Sequence, residues 1–229
     1  MRRTFVMGDI HGAYRALRQC LDNSQFDYEN DHLICLGDVA DGWPETKASI
    51  DELTRIKNIT HILGNHDWWT LQWMNGAKNE ELWYLQGGQA TIDSYAGVIP
   101  PAHIAYLSNA SLYHIHENKL FVHAGIDPLL PLDEQGSDTF LWDRTLAARA
   151  LELYPGSPNE KISTFDEIYI GHTPIPFPQP IYSAGVWLMD TGAGWSGVLS
   201  MMDLNTRETF TSDPVPELYP GVAGRTRIE

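Results

Sequence analysis

The chain has 229 residues, is 43% hydrophobic and carries a formal charge of −15. That length and apolar fraction suffice for one substantial core and exclude wholesale disorder. The acidic balance leaves no basic surplus to displace counterions, which argues against a nucleic-acid backbone as a partner. No apolar run approaches the roughly 18 residues of a membrane span, and the opening MRRTFVMGDIHG lacks the apolar stretch of a secretory signal. The expected location is therefore the cytoplasm, with no membrane partner. There Cys20 and Cys35 are expected as buried, reduced thiols, and the sequons at Asn58 and Asn109 meet no glycosylation machinery.

Thr4–Met7 is a short apolar run that ends at Gly8 and reads as a buried strand. Ala13–Leu21 has helical spacing, with Leu17 and Leu21 four apart. His32–Leu36 is a second strand, ending at Gly37; a helix over Glu45–Ile56 follows, with Pro44 at its first turn. Ile59–Leu63 is a third strand, closed by Gly64. From Asp67 to about Leu107 the chain is helical and rich in tryptophan, and reads either as a cap beside a cleft or as aromatic core filling. Strands then dominate. Ser111–His116 and Lys119–His123 flank Glu117-Asn118 as a hairpin, and Ile168–Ile170, Ile181–Ser183, Val186–Met189 and Val198–Leu204 follow, with Ala184-Gly185 as a tight turn. A helix over Thr139–Leu153 interrupts them. From Asp213, Pro214, Pro216 and Pro220 suggest an irregular tail over 213–229. No repeat or linker divides residues 1–212, which read as a single α/β domain of two packed sheets with helices outside.

The chemistry gathers at strand ends. Gly8-Asp9-Ile10-His11-Gly12, Gly37-Asp38, Gly64-Asn65-His66-Asp67, Val122-His123-Ala124-Gly125 and Gly171-His172-Thr173 each place an oxygen or imidazole donor directly after an apolar run. Singly, each is a turn or a structural histidine; in this order, together, they point to one shared site. Two divalent cations roughly 3.5–4 Å apart need a bridging carboxylate within a mixed oxygen and nitrogen shell. Asp9 and His11 can face one ion, Asp38 is the natural bridge, and Asn65, His123 and His172 complete the second. Donors without thiolate point to manganese, with iron or zinc as alternatives. A water held between such ions has its pKa pulled toward neutrality and can attack phosphorus. Two further motifs carry no such chemistry. The GxGxxG over 192–197 precedes a strand instead of the helix a dinucleotide requires, and Asp190-Thr191-Gly192 has no second copy to form an aspartic dyad.

These motifs resemble the phosphoprotein-phosphatase branch of the calcineurin-like metallophosphoesterases. That pattern runs GDxHG, GDxxDRG, GNH followed by Glu or Asp, a histidine before small residues, and a last histidine. Here it reads GDIHG, GDVADGW, GNHD, VHAG and GHT across residues 8–173. The resemblance implies a four-layer α/β/β/α sandwich of mixed sheets and a dinuclear metal-dependent phosphomonoesterase, most similar in type to bacterial serine/threonine protein phosphatases. Dinucleoside polyphosphate hydrolysis or phosphodiester cleavage is the alternative. A non-catalytic scaffold is the rival of another class, and the intact ligand set disfavours it. By resemblance, Asp9, His11 and Asp38 hold the first ion and Asp38, Asn65, His123 and His172 the second. His66 matches the general acid that protonates the leaving alkoxide, as an imidazolium, and Asp41 the carboxylate that orients it. Asn65 also reaches the phosphate, and Arg144, within the LLW-like segment Phe140–Arg144, is a phosphate-binding candidate.

The departure is Gly42, where the pattern has arginine. Loss of a charge-assisted hydrogen bond of about 1.5–3 kcal/mol would weaken phosphate binding by roughly one to two orders of magnitude. If the gap is simply a missing clamp, an arginine introduced at 42 is expected to lower KM for small phosphate esters; an unchanged or higher KM would mean that Trp43 and its neighbours have remade that wall for another leaving group. Trp43 offers either a flat wall at the cleft mouth, against which a substrate stacks, or a packing contact with a neighbouring helix. His32, His61, His103, His114 and His116 belong to no motif and are expected in structural or surface roles.

Overall fold

A computed structural model describes residues 2–78, 81–155 and 160–225. The first half alternates β1 (Thr4–Met7), α1 (Tyr14–Asn23), β2 (His32–Cys35), α2 (Thr46–Leu53) and β3 (Ile59–His61). A helical stretch follows: α3 (Asn65–Met74), α4 (Glu81–Trp83), a π-helical turn over Tyr84–Gly88, α5 (Gln89–Tyr95) and α6 (Pro101–Ser108). The second half contains β4 (Tyr113–His116), β5 (Lys119–Val122), α7 (Ser137–Trp142), α8 (Thr145–Glu152), β6 (Glu167–Ile170), β7 (Ile181–Ser183), β8 (Val186–Leu188), β9 (Ser200–Asp203), β10 (Thr209–Thr211) and α9 (Val215–Leu218). They build two five-stranded sheets, ordered β10-β9-β1-β2-β3 and β4-β5-β6-β8-β7. In the first, β1, β2 and β3 are parallel and β9 returns antiparallel to β1. In the second, β5, β6 and β8 are parallel.

Strand alternation explains why both sheets are covered on both faces. Val6, Ile34 and Ile62 from the first sheet meet Phe121, Tyr169 and Met189 from the second in one buried cluster. Phe121 and Tyr169 stack there with centroids 4.8 Å apart. The intervening residues Phe5, Met7, Leu33 and Cys35 point the other way, onto Leu17 and Cys20 of α1 and Ile50 and Leu53 of α2. Likewise Leu120, Val122, Ile168 and Ile170 pack on Leu146, Ala147 and Ala150 of α8. A strand buried on both faces reads as an unbroken apolar run, which is what the sequence shows. The expected α/β/β/α layering is the observed one.

The structure revises several boundaries. The helix expected over Thr139–Leu153 is two helices, because Asp143 leaves helical geometry with ψ at 136°. Its carboxylate then accepts hydrogen bonds from the Thr145 backbone N–H and hydroxyl, at 3.0 and 2.7 Å, and starts the next helix. The strand expected over Val198–Leu204 is shorter, and Val198 makes only an isolated bridge to Gly192. Glu117-Asn118 and Ala184-Gly185 form hairpin turns as expected, all four residues at positive φ. The tail expected to be irregular forms β10's neighbour α9, with Val215 and Tyr219 buried in the same cluster as β1 and α1. Of the four tryptophans of the helical stretch, Trp69 and Trp83 are buried, Trp73 is half-buried against the core, and Trp68 is exposed. Among the described residues no helix is long and apolar enough to cross a membrane. Both cysteines are free and buried.

Asp31 ties the start of β1 to the connection entering β2. Its carboxylate accepts from the Arg3 backbone N–H at 3.1 Å, from Arg3 Nε at 3.1 Å and Nη2 at 2.5 Å, and from the Asp27 N–H at 3.0 Å. Burial raises the Asp31 pKa, but the Arg3 hydrogen bonds outweigh it and hold the group below the ordinary carboxylate range. A depressed folded-state value contributes stability that is present above the unfolded pKa near 4 and lost as pH falls through the folded value. Asp31→Asn is expected to lower the unfolding free energy by about 1–2 kcal/mol at neutral pH. Urea unfolding of both proteins should show that gap closing below about pH 4; a gap independent of pH would exclude the ion pair as its source.

Candidate functional site

All five donor motifs lie at the carboxyl ends of parallel strands β1, β2, β3, β5 and β6, where open α/β sheets place their ligand crevices. Their approach is closer than side chains would normally permit. A Cβ on Gly64 would lie 2.1 Å from Asp38 Oδ1, and one on Gly171 would lie 2.1 Å from Asp9 Oδ1, so both carboxylates occupy space that only glycine leaves open. The backbone is also strained: His11, Asp38, Asp41 and His172 all have φ between 51° and 69°. Each such non-glycine residue costs about 1–2 kcal/mol, a cost that concentrates at functional sites.

The loops are sewn together by hydrogen bonds to the donors themselves. The Asp38 carbonyl accepts from the Ile10 and His11 N–H groups at 3.0 and 2.8 Å. Asp38 Oδ1 accepts from the His66 N–H at 2.9 Å, and Asp9 accepts from the His172 N–H at 3.0 Å. Asp67 accepts from the N–H groups of Val39 at 2.8 Å and Gly64 at 3.2 Å, and faces His61 Nε2 at 3.0 Å. His61 thus has the structural role expected of it.

Tautomers follow from the carbonyls nearby. His11 Nδ1 lies 3.1 Å from the Ala40 carbonyl and His123 Nδ1 lies 2.8 Å from the Leu36 carbonyl. A carbonyl only accepts, so each Nδ1 carries the proton and each Nε2 presents a lone pair. His11 Nε2 is 3.9 Å from Asp9 Oδ2 and 3.7 Å from Asp38 Oδ2. His123 Nε2 is 3.0 Å from Asn65 Oδ1 and 3.4 Å from Asp38 Oδ1. His172 Nε2 is buried with no hydrogen-bond partner. Lone pairs facing carboxylate and amide oxygens, with no proton between them, fit a cation. Among the described residues two groups have ligand atoms all within 4.8 Å of one another: His11, Asp38 and His66, and Asp38, His123 and His172. Asp38 is common to both, and the first group holds His66 where the sequence led us to expect Asp9.

The electrostatics agree. Burial, then Asp190 and Asp38, raise Asp9 well above the ordinary carboxylate value; burial, then Asp67, do the same for Asp38. Burial holds His123 at about 4 and His172 lower still. Packing ionised acids out of water is expensive unless positive charge compensates them. A divalent cation would supply it.

His66 Nδ1 lies 2.8 Å from Asp41 Oδ2, and Asp41 is itself fixed by Trp83 Nε1 at 2.7 Å and Thr91 Oγ1 at 2.7 Å. Burial raises Asp41 to about 7 despite the hydrogen bonds from Thr91 and Trp83. Burial, then the Arg225 guanidinium, push His66 well below its usual value. Burial and Arg225 work against the imidazolium expected of His66, whereas an ionised Asp41 facing Nδ1 works for it.

A cavity of about 160 Å³ opens onto this cluster, lined by Asp38, Asn65, His66, His172, Gln86, Arg144 and Arg225 among others. Arg144 is exposed beside it and donates to the His172 carbonyl and Thr173 Oγ1, both at 3.3 Å. Trp43 does not line it. That side chain is 1% exposed, stacks on Tyr219 with centroids 5.1 Å apart, and donates from Nε1 to the Ala193 carbonyl at 2.7 Å. The wall expected of Trp43 is thus replaced by its alternative, packing, with the tail as partner. Gly42 has φ at 110°, a conformation side chains rarely adopt, and a Cβ there would lie 3.0 Å from Arg225 Cγ. An arginine introduced at 42 would meet both obstacles, which removes the simple expectation of a lowered KM. Arg225, Gln86 and Asp190 were not foreseen from the sequence. Asp190 stood within the discarded Asp-Thr-Gly tripeptide, and the absence of a cation at 42 was the one signal that another must come from elsewhere.

Residues 2–195 match the Metallophos family, described as calcineurin-like phosphoesterase. Serine/threonine-protein phosphatase 1 of Salmonella typhimurium is 26% identical over 87% of this chain and 91% of its own length. The symmetrical bis(5'-nucleosyl)-tetraphosphatase of Pseudomonas fluorescens is 22% identical over 96% of this chain and 99% of its own. A crystal structure of a provisionally named diadenosine tetraphosphatase superposes with a TM-score of 0.68 at 21% identity, covering 93% of each chain. With its two-sheet sandwich and its convergent Asp, Asn and His donors, the chain belongs to the calcineurin-like phosphoesterase family and is a hydrolase of phosphate esters.

Proposed function

We propose that this enzyme is a dinuclear, manganese-dependent phosphomonoesterase of the serine/threonine protein phosphatase type. The observation that carries the reading is the His66–Asp41 pair, at 2.8 Å, opening onto a cavity that Asp38, Asn65 and Arg144 also line. At about 160 Å³ that cavity is smaller than the roughly 300–1,000 Å³ pockets that enclose whole small molecules. It suits a phosphoryl group whose remaining substrate stays outside, as with a phosphorylated side chain on a protein. The free, buried Cys20 and Cys35 support a reducing compartment, the cytoplasm.

In this reading Asp9, His11 and Asp38 would hold one ion and Asp38, Asn65, His123 and His172 the other. When bound, the ions supply Lewis-acid charge and lower the pKa of water. The chain's own residues do the rest. Arg144 trades its long contacts to the His172 carbonyl and Thr173 for phosphoryl oxygens, and Asn65 faces the same group. His66 gives its Nε2 proton to the leaving oxygen. Asp41 keeps Nδ1 protonated and the ring oriented, while Thr91 and Trp83 hold Asp41 against rotation. A second reading, hydrolysis of dinucleoside polyphosphates, is favoured by one observation: Arg144 and Arg225 both line the cavity and could grip successive phosphoryl groups.

Purified protein with Mn²⁺ should hydrolyse an aryl phosphate, and His66→Ala should lower kcat by about 10²–10⁴ while Mn²⁺ uptake is retained. A wild-type rate in that variant would overturn the role of His66. Phosphoserine, phosphothreonine and phosphotyrosine peptides assayed beside a dinucleoside tetraphosphate separate the two readings by kcat/KM.

Metal binding has its own readout. After chelation, Mn²⁺ at a hundredfold excess over its Kd should stabilise the fold by about 2.7 kcal/mol, visible as a raised Tm. Asp38→Asn, which weakens both groups at once, should lose most of that rise. An undiminished rise would mean that Asp38 is not the bridge.

A further inference from the structure

Arg225 reaches the site from the far end of the described chain, and its placement is built. Its backbone N–H donates to the Gly194 carbonyl at 3.1 Å, and its guanidinium carbon lies 4.5 Å above the Trp195 ring. Nη2 donates to Gln86 Oε1, and Nη1 lies 3.1 Å from His11 Nε2. Nε is buried and has no hydrogen-bond partner. The preceding segment is fitted as closely. A Cβ on Gly224 would lie 2.7 Å from Trp43 Cζ2, so glycine is needed for the tail to lie against that indole. Trp43 in turn is sandwiched by Tyr219, whose hydroxyl donates to Glu45. The arginine stem then fills the space beside Gly42 that a side chain there would need.

A half-buried guanidinium whose buried Nε has no acceptor, on the wall of a cavity lined by acid and imidazole groups, calls for an anion. His11 Nε2 is its present acceptor, yet that lone pair also faces Asp9 and Asp38, where the first ion would be held. One lone pair cannot serve both cations, so an ion at His11 frees Nη1. Of the acceptor groups a phosphate ester presents, its non-bridging oxygens match the planar guanidinium fork.

We infer that Arg225 is the phosphate-gripping cation of this enzyme, carried by a C-terminal segment that Trp43 and Gly224 dock beside Gly42. The inference rests on the phosphoesterase reading above. Metal loading and substrate binding are then linked: the guanidinium is released from His11 toward the cavity when an ion takes its place. The C-terminal segment becomes part of the substrate site.

The test uses the full chain, loaded with Mn²⁺, and calorimetric binding of inorganic phosphate, a measurement that does not require turnover. Arg225→Ala should weaken phosphate binding by about 10- to 100-fold, the range of one lost charge-assisted hydrogen bond. Mn²⁺ stoichiometry should be retained. Arg225→Lys should recover only part of the affinity, because a point charge lacks the fork. Gly224→Leu, which keeps the arginine but lifts the tail off Trp43, should lose affinity as Arg225→Ala does. Phosphate affinity within twofold of wild type in Arg225→Ala overturns the inference. So does a variant that gains Mn²⁺ affinity with unchanged phosphate affinity, since the guanidinium would then only substitute for the ion. If the wild-type enzyme binds phosphate but hydrolyses no phosphate ester, the functional reading fails while the binding role of Arg225 stands on its own result.

Discussion

Asp9, Asp38, Asp41, Asp67 and Asp190 are all buried within one region, and like charges out of water repel strongly. Everything around them is arranged to make that tolerable. Backbone N–H groups from neighbouring loops donate to Asp9, Asp38 and Asp67, and Trp83 and Thr91 donate to Asp41. The sheets bring the loops together, the glycines let the carboxylates close, and the remaining charge deficit is left for cations. The structure therefore has two kinds of acid in one cleft. Asp67 and Asp41 are fully spoken for by donors of the chain and act as posts, whereas Asp9 and Asp38 keep oxygens directed at imidazole lone pairs.

The fold was legible because its strands are short, buried on both faces and punctuated by glycine. A run such as Thr4–Met7 followed by Gly8 admits few other readings, and the hairpin turns at Glu117-Asn118 and Ala184-Gly185 announce themselves by residue type. The donors were legible for the same reason, since each follows a strand directly. What local pattern did not reveal depends on long-range packing. The break at Asp143 is a capping interaction inside an apolar periodicity, and only the Asp-x-Thr spacing hints at it. Trp83 is a tryptophan among many until its indole N–H is seen to meet Asp41. Arg225 lies in a proline-bearing segment without periodicity, and nothing local to it indicates that Gly194 and Trp195 await it.

The glycine-rich 192–197 loop shows how a rejected motif can still matter. It binds no dinucleotide pyrophosphate through a helix, because β9 follows it. Yet a Cβ on Gly194 would lie 2.5 Å from His11 Cδ2, and the carbonyl of the same residue anchors the tail. The loop is a spacer thin enough for an imidazole on one side and a C-terminal strand of chain on the other. Its composition answers a packing demand, and the resemblance to a nucleotide fingerprint is coincidental.

The left-handed backbone at His11, Asp38, Asp41 and His172 sets folding and function against each other. Glycine at any of these positions would relax the main chain while deleting a donor or its support. Thermal robustness alone would therefore favour glycine at each of the four positions, at the expense of the groups that give the cleft its chemistry.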